Sequence, residues 1–207
     1  MPEITTLFWD VGGVMLSNGW DTPERAAAIR KFGLDAADFE ARHEVENPAW
    51  ECGSITLAAY LNRTVFYKPR AFTPEEFREF IFAQSRDLPE GHAIADEIAR
   101  SGRYSMAVVN NESTELNLYR IQKFGLRRSF PAFFSSCFVG VRKPDRGIYR
   151  IALDVTQRTP GECLFIDDRA ANLETARQMG MHTIQFQGGE QLRRDLAAQG
   201  VVWQPSV

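Results

Sequence analysis

The stretch Leu7-Phe8-Trp9-Asp10-Val11-Gly12-Gly13-Val14-Met15-Leu16 decides how this chain folds. A short apolar run ends in a carboxylate, and two glycines follow at once. The run predicts a buried strand with Asp10 at its C-terminal tip, and Gly12 and Gly13 let the backbone fold tightly around a ligand. In open α/β sheets, chemistry sits in the crevice beyond the strand C-termini. The same residues also describe an Asp that merely ends a core strand before a turn. Three later stretches decide between the two.

Downstream of Leu16 the periodicity becomes helical. Thr22-Pro23 predicts an N-cap with Pro at the first helical position, and Gly33 closes that helix. A second helix is expected from about Asp35, and a third over Ser54–Leu61, with Ile55, Leu57, Ala58 and Leu61 on one face. Thr73-Pro74-Glu75-Glu76 is a capping box leading into Phe77, Phe80 and Ile81. Residues 18–88 therefore predict an all-helical cap. From Pro89 the pattern alternates. Helices are expected over Gly91–Arg100, Thr114–Phe124, Gly147–Val155 and Ala170–Met179. Strands are expected over Tyr104–Val109, from Phe133-Phe134, over Cys163–Ile166 and over Thr183–Phe186. The expected fold is α/β: a Rossmann-like, doubly wound parallel sheet formed by residues 1–17 and 89–207, with the helical cap inserted after the first strand.

Composition narrows the function classes. The 207 residues are 44% hydrophobic and 25% charged, with a net charge of −3 and no basic run, so neither nucleic acid nor an anionic membrane surface is an expected partner. Met1-Pro2-Glu3-Ile4 lacks a basic leader, and no apolar run spans a bilayer, so the expected location is cytoplasmic. Cys52, Cys137 and Cys163 are widely spaced and read as buried free thiols. The scattered His43, His92 and His182 argue against a histidine-rich zinc site.

Three expected strands end in polar groups: Asp10, Asn110-Asn111 and Asp167-Asp168. Parallel strands bring such tips to one edge, where Lys143 joins them from a loop. Carboxylates gathered there repel one another and call for a cation, and all-oxygen ligands favour a hard one such as Mg²⁺. A lysine and amide donors beside it suit an anionic oxygen, most economically that of a phosphoryl group.

Taken in order, Asp10-Val11-Gly12, Asn110-Asn111, Lys143-Pro144-Asp145 and Phe165-Ile166-Asp167-Asp168 resemble the four motifs of the haloacid dehalogenase-like hydrolase superfamily, and the cap resembles that of its helical-cap subgroup. Gly140-Val141-Arg142-Lys143-Pro144-Asp145 and Asp167-Asp168-Arg169-Ala170-Ala171-Asn172-Leu173 are similar to the branch holding sugar-phosphate phosphatases and the N-terminal phosphatase domain of soluble epoxide hydrolase. The resemblance implies that Asp10 is a nucleophile forming an aspartyl-phosphate. It implies that Asp10, the Gly12 carbonyl and Asp168 hold Mg²⁺, with Asp167 supporting. It further implies that Lys143 neutralises developing charge and orients Asp10, and that Asn110 and Asn111 donate to phosphoryl oxygens. The family usually has Ser or Thr where this chain has Asn110. Asn172 is expected to cap or brace the acidic loop.

Position 12 departs from the pattern. Phosphatases of this superfamily commonly carry there a second Asp, which protonates the leaving alkoxide and then activates water; Gly12 supplies only a carbonyl. Such acid–base help is worth about 10²–10⁴-fold. The expected activity is therefore a Mg²⁺-dependent phosphatase acting on a small phosphorylated metabolite, slow or restricted to good leaving groups; some members of the similar branch also have Gly here. Alternatively, the cap supplies the acid, with His43-Glu44 and Trp50-Glu51-Cys52-Gly53 as candidates, or the site only binds. Metal-independent dehalogenation is the rival chemistry, although it needs no Asp167-Asp168 pair. Phosphonate cleavage would need a Schiff-base lysine, for which Lys31 and Lys68 have no recognisable context. Substrate identity and oligomeric state stay open.

Overall fold

The computed structural model describes residues 3–203; Met1-Pro2, the start of the leader reading, lies outside them. The first strand, β1 (Thr6–Trp9), is buried along its whole length. Four helices follow: α1 (Thr22–Phe32), α2 (Ala36–Glu51), α3 (Leu57–Thr64) and α4 (Pro74–Ala83). Then come α5 (Pro89–Ser101), β2 (Ser105–Asn110), α6 (Thr114–Lys123), β3 (Ala132–Ser135), α7 (Ser136–Val139) and α8 (Arg146–Thr156). The chain continues through β4 (Cys163–Asp167), α9 (Ala170–Gln178), β5 (His182–Gln185) and α10 (Gly189–Ala198).

All strand pairs are parallel, in the order β3-β2-β1-β4-β5. The winding direction reverses at β1, so the crevice between β1 and β4 is the switch point where α/β sheets bind ligands. Trp9 is paired with both Val108 and Ile166, which sets Asp10 level with Asp167. Strand alternation divides the core. Leu7 and Trp9 pack with Ile94 and Ile98 of α5 and Leu192 and Leu196 of α10, whereas Phe8 faces Ile148 and Ala152 of α8 and Leu173 of α9. Burial on both faces explains why these strands read as continuous apolar runs.

Helices α1 to α4 close a third cluster around Trp20, Phe39, Trp50, Tyr60 and Phe77, to which α6 adds Leu116. Two chain segments join this block to the sheet, and Ser17 ties them together. Its N–H donates to Arg86 O (2.8 Å), its hydroxyl donates to Gln84 O (2.8 Å) and accepts from Arg86 N (2.9 Å).

Several local expectations shift. Asp21, not Thr22, caps α1: its carboxylate accepts from Thr22 N while Glu24 reaches back to Asp21 N. Helix α3 starts three residues later than expected, because the Thr56 hydroxyl accepts from Ala59 N and sets the boundary. Helices α7 and α10 were not anticipated from the sequence; α7 is a single turn, and the Gly188-Gly189 start of α10 looks like a loop. The cysteines are free, but only Cys163 is buried; Cys52 and Cys137 are half-buried. Among the described residues, no helix is long and apolar enough to cross a membrane.

Candidate active site

Asp10 follows β1 directly, and its N–H donates to Ile166 O of β4 at 2.9 Å, so the neighbouring strand fixes the backbone that presents it. Its Oδ1 accepts from Val11 N (2.8 Å) and lies 2.9 Å from Lys143 Nζ. That leaves Oδ2 without a protein partner among the described residues.

Lys143 is 3% exposed and bridges Asp10 to Asp167, whose Oδ2 is 2.6 Å from Nζ. Asn111 sets the height of this lysine. Its Oδ1 accepts from Lys143 N (2.8 Å) and its Nδ2 donates to Lys143 O (2.9 Å), so one side-chain amide holds both backbone polar groups of the lysine. Asp167 is fully enclosed. It accepts from Asn172 Nδ2 through both oxygens (3.0 Å each) and from Arg169 N (2.7 Å). Asn172 thus braces the acidic loop.

Asp168 differs from Asp167 in that its Oδ1 is buried without any hydrogen-bond partner. One carboxylate oxygen from each of Asp10, Asp167 and Asp168 falls within 4.8 Å of the others. Three carboxylates at that separation, one with an orphaned oxygen, fit a hard divalent cation, whose charge offsets their repulsion. Gly12 borders the same cavity. Gly13, at φ +71°, keeps the space clear: a Cβ there would run into the Asp168 carboxylate.

Electrostatics agree with the crowding. Burial pushes the Asp10 carboxyl up to about 7; Lys143 opposes this, and Asp167 and Asp168 add to it. Burial and Asp167 also raise the Asp168 carboxyl. Burial works against the Lys143 ammonium, but Asp10 and Asp167 outweigh it and hold the proton.

Asp10 and Lys143 open into a cavity of about 480 Å³ roofed by the helical block, whereas Asp167 and Asp168 stand behind its lining. Asn111 reaches it. Asn110 does not line it; its Nδ2 is 3.3 Å from Asn117 Oδ1 and its own Oδ1 is enclosed without a partner. Of the cap candidates, His43, Trp50 and Glu51 line the cavity. Glu44 borders only an adjoining recess, and Cys52 and Gly53 line neither. Glu51 is paired with Arg142 (2.8 Å), and burial lowers the His43 imidazole to about 4.

The sequence reading missed Asn18, Asp21, Arg25, Glu112 and Arg120 at this site. Arg120 carries the deepest of these links. It is 2% exposed, donates to Glu112 Oε2 at 2.6 Å, and also donates to Ser17 O, joining the cavity wall to the tied linkers. Asp21 and Arg169 form an ion pair of 2.6 Å between the helical block and the acidic loop. No sequence pattern announces partners as far apart as these.

The model of one family, described as haloacid dehalogenase-like hydrolase, matches residues 4–180. Rat bifunctional epoxide hydrolase 2 is 33% identical over 120 residues, covering 56% of this chain and 22% of the rat protein. Flavin mononucleotide hydrolase 1 of Arabidopsis thaliana is 37% identical over 68 residues, 33% of this chain and 28% of its own. The chain thus spans about a fifth to a quarter of the length of these relatives. A solved haloacid dehalogenase family enzyme of Bacteroides thetaiotaomicron, in complex with magnesium and inorganic phosphate, superimposes with a TM-score of 0.71 at 18% identity, covering 90% of this chain and 96% of its own. A 2-haloacid dehalogenase of Pseudomonas syringae superimposes at 0.68 and 16% identity, covering 94% and 99%. With a matching family model over most of its length and this fold, the chain belongs to the haloacid dehalogenase-like hydrolases.

Proposed function

We propose that the protein is a Mg²⁺-dependent phosphomonoester hydrolase acting on a small phosphorylated metabolite through an aspartyl-phosphate. The carrying observation is the division of labour among three carboxylates. Asp10 has one oxygen held and one free, Asp167 is saturated by protein donors, and Asp168 has an enclosed oxygen with no partner. A nucleophile, a brace and a cation ligand fit that division.

Asp10, Asp168 and the Gly12 carbonyl would hold Mg²⁺, with Asp167 behind them. The cation would supply charge neutralisation that lets an anionic carboxylate approach an anionic phosphoryl group. Asp10 Oδ2 attacks phosphorus, a P–O bond to Asp10 forms, and the ester P–O bond breaks. Lys143 holds the other carboxylate oxygen and sits where negative charge develops. The leaving oxygen takes its proton from solvent, because Gly12 offers none. Water then attacks phosphorus, the Asp10–phosphorus bond breaks, and inorganic phosphate leaves. Asn111 serves this chemistry by clamping Lys143; a contact from Asn110 to the phosphoryl group requires its amide to leave Asn117. Residues 18–88 act as a cap that excludes bulk water.

A metal-independent dehalogenase would leave the orphaned Asp168 oxygen without a purpose, which is why the phosphatase reading is preferred. The test is hydrolysis of 4-nitrophenyl phosphate by the wild type and Asp10→Asn, with Mg²⁺ and with chelator. Activity requiring both metal and Asp10 supports the reading. Halide release from a 2-haloacid without metal, in place of phosphate release, overturns it.

A further inference from the structure

His43, which lines the cavity, is hydrogen-bonded to Tyr60, which is fully buried. Trp20 Nε1 donates to its phenolic oxygen at 3.1 Å, and that oxygen lies 2.8 Å from His43 Nδ1. An indole N–H can only donate, so Tyr60 O accepts from Trp20. The phenol hydrogen then goes to His43 Nδ1, its hydrogen-bonded neighbour at 2.8 Å. If Nδ1 carried the proton instead, it would compete with the Tyr60 hydrogen for one contact in a buried place, where an unpaired polar hydrogen is penalised. The relay Trp20 to Tyr60 to His43 therefore fixes the imidazole as its Nε2–H tautomer. The Nε2 atom has no protein partner and is not enclosed, while the residue lines both the cavity and its adjoining recess.

The surroundings of that N–H are also donors. Arg25 spends Nε on Glu40 (3.0 Å) and one contact of each terminal nitrogen on Trp20 O (3.3 Å) and Thr22 Oγ1 (3.2 Å), which leaves N–H groups over. Arg142 gives one contact to Glu51 and likewise keeps others. Both line the cavity. Three of the carboxylates nearby are already paired: Asp21 with Arg169, Glu40 with Arg25, Glu51 with Arg142. Glu44 borders the recess and Asn47 both spaces, but His43, Arg25 and Arg142 together keep several N–H groups over, so this wall has donors to spare.

We propose that His43, held by Tyr60 as a neutral Nε2–H donor, is a specificity-determining residue, and that the substrate's leaving group carries a carboxylate which takes this hydrogen bond. The inference rests on the phosphatase reading only for the identity of the reacting group. His43 is thereby a recognition residue and not the missing acid, because a proton fixed on Nε2 of a neutral imidazole is not readily given to an alkoxide.

The test uses full-length ¹⁵N-labelled protein. Long-range ¹H–¹⁵N correlation spectra at pH 7 identify His43 by comparison with His43→Phe, or with His43→Gln if the former does not fold. The expected pattern is an unprotonated Nδ1 and a protonated Nε2, with the fixed tautomer lost in Tyr60→Phe. In Asp10→Asn with Mg²⁺, 4-carboxyphenyl phosphate shifts the Nε2 resonance and phenyl phosphate does not. In turnover, His43→Phe raises KM for 4-carboxyphenyl phosphate about tenfold more than it raises KM for phenyl phosphate, with kcat for the carboxylated ester little changed. A protonated Nδ1, an imidazolium, or equal or absent shifts with the two ligands overturn the inference. A selective Nε2 shift without hydrolysis of either ester sustains the inference and removes the phosphatase reading instead.

Discussion

Asn18 Oδ1 stands 2.9 Å from the point where a Cβ on Gly12 would sit. The space that an acidic side chain would enter from position 12 is thus partly taken by a neutral amide from the linker, and Asn18 lines the cavity at that place. Gly12 is not at a positive φ, and a side-chain amide can swing away, so the position tolerates a larger residue once Asn18 moves.

Gly12→Asp, combined with Asn18→Ala to make room, should therefore gain activity on unactivated esters. Hydrolysis of an alkyl phosphate is expected to rise about 10²-fold, while an activated aryl phosphate changes little, since its leaving group needs no proton. Steady-state rates on the two esters check this. An equal gain on both would mean that the substitutions act otherwise than by protonating the leaving oxygen.

Lys143→Met should remove activity and also weaken the fold. It leaves Asp10 and Asp167, both buried, facing each other without their shared cation. Breaking such a buried pair costs about 3 kcal/mol at neutral pH. Urea unfolding at pH 8 and pH 5 is the measurement, and the deficit should be smaller at pH 5, where the Asp10 carboxyl is protonated with or without Lys143.

Metal should stabilise the protein more as pH rises. Without metal, burial holds the Asp10 carboxyl at about 7 against an ordinary value of 3.8. The folded chain then binds the extra proton between those values, so this group's contribution is fully present below about pH 4 and is lost as pH climbs through 7. Mg²⁺ competes with that proton. Its gain in Tm over chelator is expected to be larger at pH 8 than at pH 5, and a larger gain at pH 5 would contradict the assignment of Asp10 as a ligand.

Gly13→Ala tests the cradle around Asp168. The new methyl meets the Asp168 carboxylate, and φ of +71° is unfavourable for alanine by about 1–2 kcal/mol. Chemical unfolding should show that loss, and calorimetry should show weakened Mg²⁺ binding. An unchanged Mg²⁺ affinity would move the ligand role away from Asp168.

Much of this was legible in one dimension because it depends on local pattern. Leu7-Phe8-Trp9 and Cys163-Leu164-Phe165-Ile166 are apolar runs ended by acids, and a strand buried on both faces has to read that way. The capping box at Thr73 and the stop at Gly33 were equally plain, because caps are made by residues within four positions of one another. The start of α1 was misread by one residue because Asp21 and Thr22 are both good caps, and the choice fell to the one whose carboxylate accepts from Thr22 N while Glu24 answers Asp21 N.

The sequence by itself determined the order of the five strands and of the helices other than α7 and α10, the acids and lysine that meet at one sheet edge, and the absence of a side chain at Gly12. Those follow from periodicity and from the parallel direction of strands, which carry every C-terminal tip to the same side. Only the tertiary structure decided which oxygen of Asp10 is free, that Asn111 spends its amide on Lys143, and that Asp168 rather than Asp167 keeps an unpartnered oxygen. It also decided that the Tyr60 hydroxyl meets His43 Nδ1 and that Arg120 ties Glu112 to Ser17. Each of these is a choice of hydrogen-bond partner across tens of residues, made where burial penalises any polar atom left unpaired, and no spacing along the chain records it.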